Sequence, residues 1–175
     1  QATGGNRYEV EAEGDFYTIH REIEVFSTHV YVKDRYTNTT NQDLGILIYN
    51  ETPVKLEQIT RSWLSGYERR GRQAMLSYPH YSLSAFLTDA NTGLGIIPID
   101  DVYVVQAVPY VGWQDAAGVG TEKFALAPKK SYTLEWAVYP THSGDYYDFI
   151  NTFRKVENRI STINAGFGFI THNPR

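Results

Sequence analysis

The stretch from Leu126 to Arg154 constrains the fold more than any other, because a strand, a turn and a helix can be read in it residue by residue. Tyr132, Leu134, Trp136 and Val138 fall on one side of an extended segment, and Thr133, Glu135 and Ala137 on the other. That alternation is the period-two signature of a half-buried strand, and Pro140 is expected to end it. Beyond a polar turn, Tyr146, Phe149, Ile150, Phe153 and Ile160 recur at helical spacing. Asp145 is placed to cap the free amides of the first turn, and Arg154, Lys155 and Arg159 lie nearer the negative C-terminal end. The spacing predicts one amphipathic helix over about 145–160, after a strand-rich region.

The upstream segments supply the strands. Ile19, Ile23 and Val25 alternate with charged neighbours, and a second strand through Val30 and Val32 runs into the turn-forming TNTTNQD. Residues 19–49 are read as a meander. The consecutive apolar residues Leu44 to Tyr49 predict a central strand covered on both faces. Residues 60–82, rich in Arg, Gly and Tyr, form a long excursion with a short edge strand. Leu83–Leu87 and Leu94–Ile99, joined by TDANTG, make a hairpin. Val102, Val104, Gln106 and Val108 alternate with Tyr103, Val105 and Ala107 as a further strand, which leads into the glycine-rich loop PYVGWQDAAGVG.

Short strands with turn signals and one late helix indicate an all-β chain, an antiparallel two-layer β-sandwich with a C-terminal amphipathic helix. Residues 1–7 are expected to be a flexible arm, 8–166 a single domain and 167–175 a tail or linker. A chain of 175 residues is long enough to bury roughly 70% of its unfolded surface without staples. The absence of cysteine excludes disulfides and thiol chemistry. A net charge of −4 argues against a nucleic-acid partner. No apolar run approaches the roughly 20 residues of a membrane helix, so a membrane partner is not expected either.

Leu126, Pro128 and Ser131 leading into Leu134 and Trp136, then Tyr139-Pro140, Asp145-Tyr146, Phe149-Ile150-Asn151 and Arg154, form a pattern. It resembles the end of the galactose-mutarotase-like supersandwich domain found in bacterial glycoside-hydrolase-like proteins. Val32-Lys33-Asp34, Asn38-Thr39-Thr40 and Asp43-Leu44-Gly45 are similar to that family's first hairpin. Gly93-Leu94-Gly95 with Asp100-Asp101-Val102 are similar to its central one. The resemblance runs from about Ile23 to Gly166 and implies a supersandwich-like fold and an association with carbohydrate, without a catalytic signature.

Candidate chemistry is sparse. Glycosidic cleavage needs two carboxyl groups about 5–10 Å apart, and Asp100-Asp101, adjacent on an expected strand, point to opposite faces; one Asp is expected instead to accept backbone hydrogen bonds in a turn. His20, His29, His80, His142 and His172 lack the short spacing of a metal site, so neither metal nor cofactor is expected. No His and Glu match a mutarotase's proton-moving pair.

Aromatic rings beside polar groups suit sugar recognition better, because the C–H face of a sugar packs on a flat ring. Trp113, between Gly112 and Gln114-Asp115 and near Tyr110, is the first candidate platform. Trp63 is the second, in an excursion that gathers Arg61, Arg69, Arg70 and Arg72 and so suits an acidic sugar. The competing reading of those arginines is local pairing with carboxylates and rings. His80, between Tyr78-Pro79 and Tyr81, is a candidate polar group, and Trp136 is expected in the core. Asn38 and Asn50 open N-x-T acceptor patterns for N-glycosylation, the first in a turn and the more accessible.

The sequence therefore points to a non-catalytic carbohydrate-associated domain of an exported, extracellular or periplasmic bacterial protein. It either binds glycan or supports a neighbouring glycoside-hydrolase domain. Two alternatives remain open. One is a self-assembling fibre or surface-layer subunit that uses strand donation by its terminal segments. The other is a stand-alone mutarotase or glycosidase.

Overall fold

The computed structural model describes residues 2–70, 75–76, 83–89, 91–113 and 115–160. In chain order its elements are β1 (Ala2–Gly4), β2 (Arg7–Glu13), β3 (Tyr17–Val25), β4 (Val30–Asn38), β5 (Leu44–Pro53), β6 (Arg61–Leu64), β7 (Tyr67–Arg70), β8 (Met75–Leu76), β9 (Ala85–Thr88), β10 (Gly93–Pro98), α1 (Asp101–Gln106), β11 (Val108–Trp113), β12 (Ala116–Leu126), β13 (Ser131–Thr141) and α2 (Tyr146–Val156). Two antiparallel sheets stack as the pattern of strands predicts. The larger has the order β1-β2-β3-β4-β13-β10-β9-β6-β7, the smaller β5-β12-β11-β8.

Between the sheets, Val32, Tyr36, Leu134 and Trp136 of the large sheet meet Ile46, Ile48, Val119 and Phe124 of the small one. Strand register explains the choice, since Trp136 stands opposite Val32 and Leu134 opposite Asp34, placing all four side chains on the inward face. Asp34 is fully buried there. It accepts two bonds from Arg21, at 2.6 and 2.9 Å, and one from the Trp136 indole at 2.9 Å.

A third layer covers the other face of the large sheet. Asp145 caps α2 by accepting from the Tyr147 amide at 2.9 Å, and Arg154 and Lys155 fill the last turn. The helix lays Tyr146 and Phe149 on Trp63, Phe86 and Tyr139, with Ile150 and Phe153 at the margin. Gly95 makes room, because an added Cβ would stand 2.4 Å from the Phe149 ring.

Several local expectations are corrected. Residues 2–4 form β1 and pair with Arg7 and Tyr8, so the N-terminal arm is tied to the sheet. The meander ends at β4, because β5 crosses to the small sheet, where it lies at the edge. There Ile46, Ile48 and Asn50 turn inward while Leu47 and Tyr49 stay 65% and 45% exposed, so the apolar run is not covered on both faces. Residues 101–106 are a short helix. Asp100 caps it by accepting from the Tyr103 amide at 3.0 Å, and the Tyr103 hydroxyl, buried between the sheets, donates to Val119 O at 2.9 Å. Strand β13 continues through Pro140 to Thr141, where pairing with β4 has already ended at Val138 and a missing amide hydrogen is tolerated. The hairpin β9–β10 forms as expected, its turn held by Asp89 accepting from the Asn91 and Thr92 amides.

Near the C-terminal end of α2, His29 is 6% exposed and stacked between Phe26 and Tyr139, at 4.5 and 5.1 Å. Burial pushes its pKa below the ordinary value, with Glu157 and Glu24 opposing. The folded state therefore holds the ring neutral, while the unfolded chain takes up a proton below about pH 6.5. Stability contributed at higher pH is lost as pH falls through that range. The urea midpoint is expected to drop between pH 7 and pH 5 in the parent, and to drop less in His29→Phe, which keeps the stack. Equal slopes would contradict this role.

Candidate functional site

The outer face of the small sheet brings two tyrosines, two glutamates and a lysine together over a pair of glycines. On β12, Gly118 and Gly120 stand opposite Glu51 and Tyr49 of β5 and opposite Tyr110 and Val108 of β11. Side chains at Gly120 are excluded by close approach, since an added Cβ would lie 2.8 Å from the Tyr49 ring and 2.8 Å from Ile48 O. The two tyrosines meet edge to face, their centroids 6.0 Å apart. Tyr110 is buried and donates to Glu51, whereas Tyr49, nearly half exposed, donates to Glu122 at 2.9 Å.

A bulge completes the arrangement. Register between β5 and β12 shifts from Thr121 opposite Ile48 to Phe124 opposite Ile46, so Glu122 and Lys123 together face Leu47. A bulge of this kind re-aims side chains, here setting two exposed charges beside the Tyr49 ring. The Thr121 hydroxyl pins it by accepting from the Lys123 amide at 3.1 Å. The result is a cleft of about 230 Å³ lined by Tyr49, Gln106, Val108, Tyr110, Glu122 and Lys123 over the Gly120 floor. Gln106 lines the cleft, and its side-chain oxygen is buried with no partner among the described residues. Hydrogen bonding to Glu122 raises the Tyr49 pKa, and burial, with Glu51 next, raises that of Tyr110 further. Both phenols stay protonated and committed to their carboxylates.

Of the residues expected from sequence, Tyr110 belongs to this cleft as a buried wall rather than as an open platform. Trp113 ends β11 opposite Ala116, and its side chain lies outside the described residues, as do Gln114 and His80 entirely. Asp115 turns the chain from β11 into β12 at φ 55°, and its carbonyl accepts from the Val54 amide at 2.8 Å. Trp63 is not a platform: it is 8% exposed, stacked on Tyr146 at 5.6 Å and overlain by the Arg61 guanidinium at 4.6 Å. Arg61 also binds Glu68 at 2.8 Å, so local pairing is the observed use of that arginine. Arg69 stands opposite Ser62 on β7, at the far edge of the large sheet and away from the cleft.

Neither acceptor asparagine is accessible. The Asn38 amide nitrogen, which would carry the glycan, donates to Gln42 O, Leu126 O and Ala127 O at 2.8, 3.0 and 3.1 Å, and the residue is fully buried. Asn50 is 3% exposed and donates to the Tyr103 hydroxyl at 2.9 Å. A glycan on either would remove buried hydrogen bonds and separate the sheets. Asp100 is likewise engaged, by the Tyr103 and Glu135 amides and, at 3.3 Å, the Tyr132 hydroxyl.

Tyr49, Glu122 and Lys123 are the site residues that sequence reasoning missed. The signal available for them was Tyr49 at the end of an apolar run, followed by Asn50-Glu51, and Gly118-Val119-Gly120 before charged Glu122-Lys123.

No family model matches the chain. No curated protein matches it either. Among solved structures the chain is similar to an Escherichia coli K12 protein described as a candidate aldose 1-epimerase, at 12% identity and a TM-score of 0.43 over 78% of this chain and 64% of that one. It is also similar to a protein of Synechocystis sp. PCC 6803, at 12% identity and 0.46 over 82% and 64%. A third similarity is to a polysaccharide lyase, at 13% identity and 0.49 over 84% and 23%. The chain thus spans less than two thirds of the length of each of these proteins, and the likeness is one of antiparallel chain path.

Proposed function

We propose that this chain is a non-catalytic, carbohydrate-associated sandwich domain that holds glycan against the outer face of its small sheet, in an extracellular or periplasmic setting. The observation that carries the reading is the exposed Tyr49 ring over the glycine floor, with Gln106, Glu122 and Lys123 around one cleft. Such a site offers a flat face to sugar C–H groups and polar atoms to the hydroxyls at its rim. Glu51 and Glu122 each accept from a tyrosine, which suits fixed acceptors rather than a pair trading protons across a scissile bond.

Tyr49→Ala removes the stacking face while leaving the core intact. Affinity for a bound oligosaccharide is expected to weaken by about 1–2 kcal/mol, roughly 5- to 30-fold, with a melting temperature lowered by only a few degrees through loss of the Tyr110 and Glu122 contacts. Titration calorimetry of both proteins is the test. Unchanged affinity, or no oligosaccharide binding by the parent, would overturn the proposal.

A further inference from the structure

We infer that the cleft selects glycans of neutral or amino sugars and excludes uronic-acid polymers, an inference that rests on the carbohydrate reading above. Its polar inventory is biased toward acceptors. Glu122 lines the cleft and Glu51 stands behind Tyr110, while Lys123 is the one cation among the described lining residues. The Tyr49 and Tyr110 hydroxyls, the donors expected to greet a carboxylate, are already spent on those two glutamates. A ligand rich in O–H and N–H groups satisfies the exposed Glu122 carboxylate, and an ammonium group gains further from its charge.

A ligand carboxylate meets the opposite situation. It would be desolvated beside the Glu122 carboxylate, with one flexible, well-hydrated ammonium to pair with, and like-charge juxtaposition of this kind is how a site rejects a near neighbour of its ligand. The glycine floor adds little help, because β12 is a central strand paired on one side with β5 and on the other with β11. The bulge makes the preference adjustable, since Glu122 is exposed and bonded to the half-exposed Tyr49 hydroxyl.

The experiment measures binding of the full chain to chitosan, cellulose and polygalacturonate oligosaccharides of equal length, for the parent and for Glu122→Lys. Expected is binding of a neutral or amino oligosaccharide at least 10-fold tighter than polygalacturonate by the parent, and a loss or inversion of that ratio in Glu122→Lys. Tighter binding of polygalacturonate by the parent would overturn the selectivity while leaving glycan binding in place. A ratio unmoved by Glu122→Lys would also overturn it, since the preference would then arise elsewhere. Binding of none of the three would overturn both this inference and the reading beneath it.

Discussion

Phe149→Ala is expected to remove about 3–5 kcal/mol of stability, the range for truncating a fully buried aromatic ring. Phe149 has no exposed surface and is the centre of the layer that fastens α2, stacked on Phe86 at 5.6 Å, tilted against Tyr139 at 5.6 Å and edge to face with Tyr146 at 6.0 Å. The hollow left behind cannot close easily, because Gly95 beneath it carries no side chain to move in. Phe153, half-buried at the margin and touched by Arg159, should give a smaller loss when truncated. Urea unfolding of the two variants checks the order. A loss below 1 kcal/mol for Phe149→Ala would mean that α2 is not docked through this ring.

Asp34→Ala is expected to cost roughly 3 kcal/mol, the lower end of about 3–5 kcal/mol for removing one partner of a buried ion pair. The lower end applies because Arg21 is 36% exposed and regains water once its partner is gone. The Trp136 indole, in contrast, loses its acceptor inside the core. Replacing both charged partners by apolar residues, Arg21→Met with Asp34→Leu, should restore part of the loss, since the Trp136 indole N–H stays unpaired. If the double variant is as unstable as Asp34→Ala, the damage comes from something other than an orphaned charge.

Much of the sandwich was legible because its signals are local. Asp145 and the spacing of Tyr146, Phe149 and Phe153 fix α2 within a few residues of its observed ends, and the alternation around Trp136 fixes which face of β13 turns to the small sheet, although Ala137 and Tyr139 on the opposite face are buried too, under α2. Where the reading failed, a tertiary partner decided. The alternation of Val102 to Val108 suits a strand as well as a short helix, and what selects the helix is the Tyr103 hydroxyl reaching Asn50 and Val119 on the small sheet. Leu47 and Tyr49 look buried in a run of apolar residues, but β5 lies at a sheet edge and leaves one face open.

The site was harder to see for the same reason. Tyr110 was recognisable as an aromatic near polar residues, yet its partners Tyr49 and Glu51 come from a strand 59 to 61 positions earlier in the chain. The bulge that aims Glu122 and Lys123 depends on cross-strand register, which composition does not reveal. Trp63 and the two N-x-T patterns show the converse. Each carries a short signal that suggests exposure, and each is buried by contacts distant in sequence.

The central claim is a location, so the most direct measurement is amide hydrogen exchange of the full chain with and without the best-binding oligosaccharide. Slowed exchange is predicted for residues 47–51 of β5 and 118–123 of β12, with no change in β2 and β3 at the far end of the large sheet. Protection confined to β2 and β3, or to the β6–β7 hairpin around Trp63, would contradict a glycan site on the outer face of the small sheet.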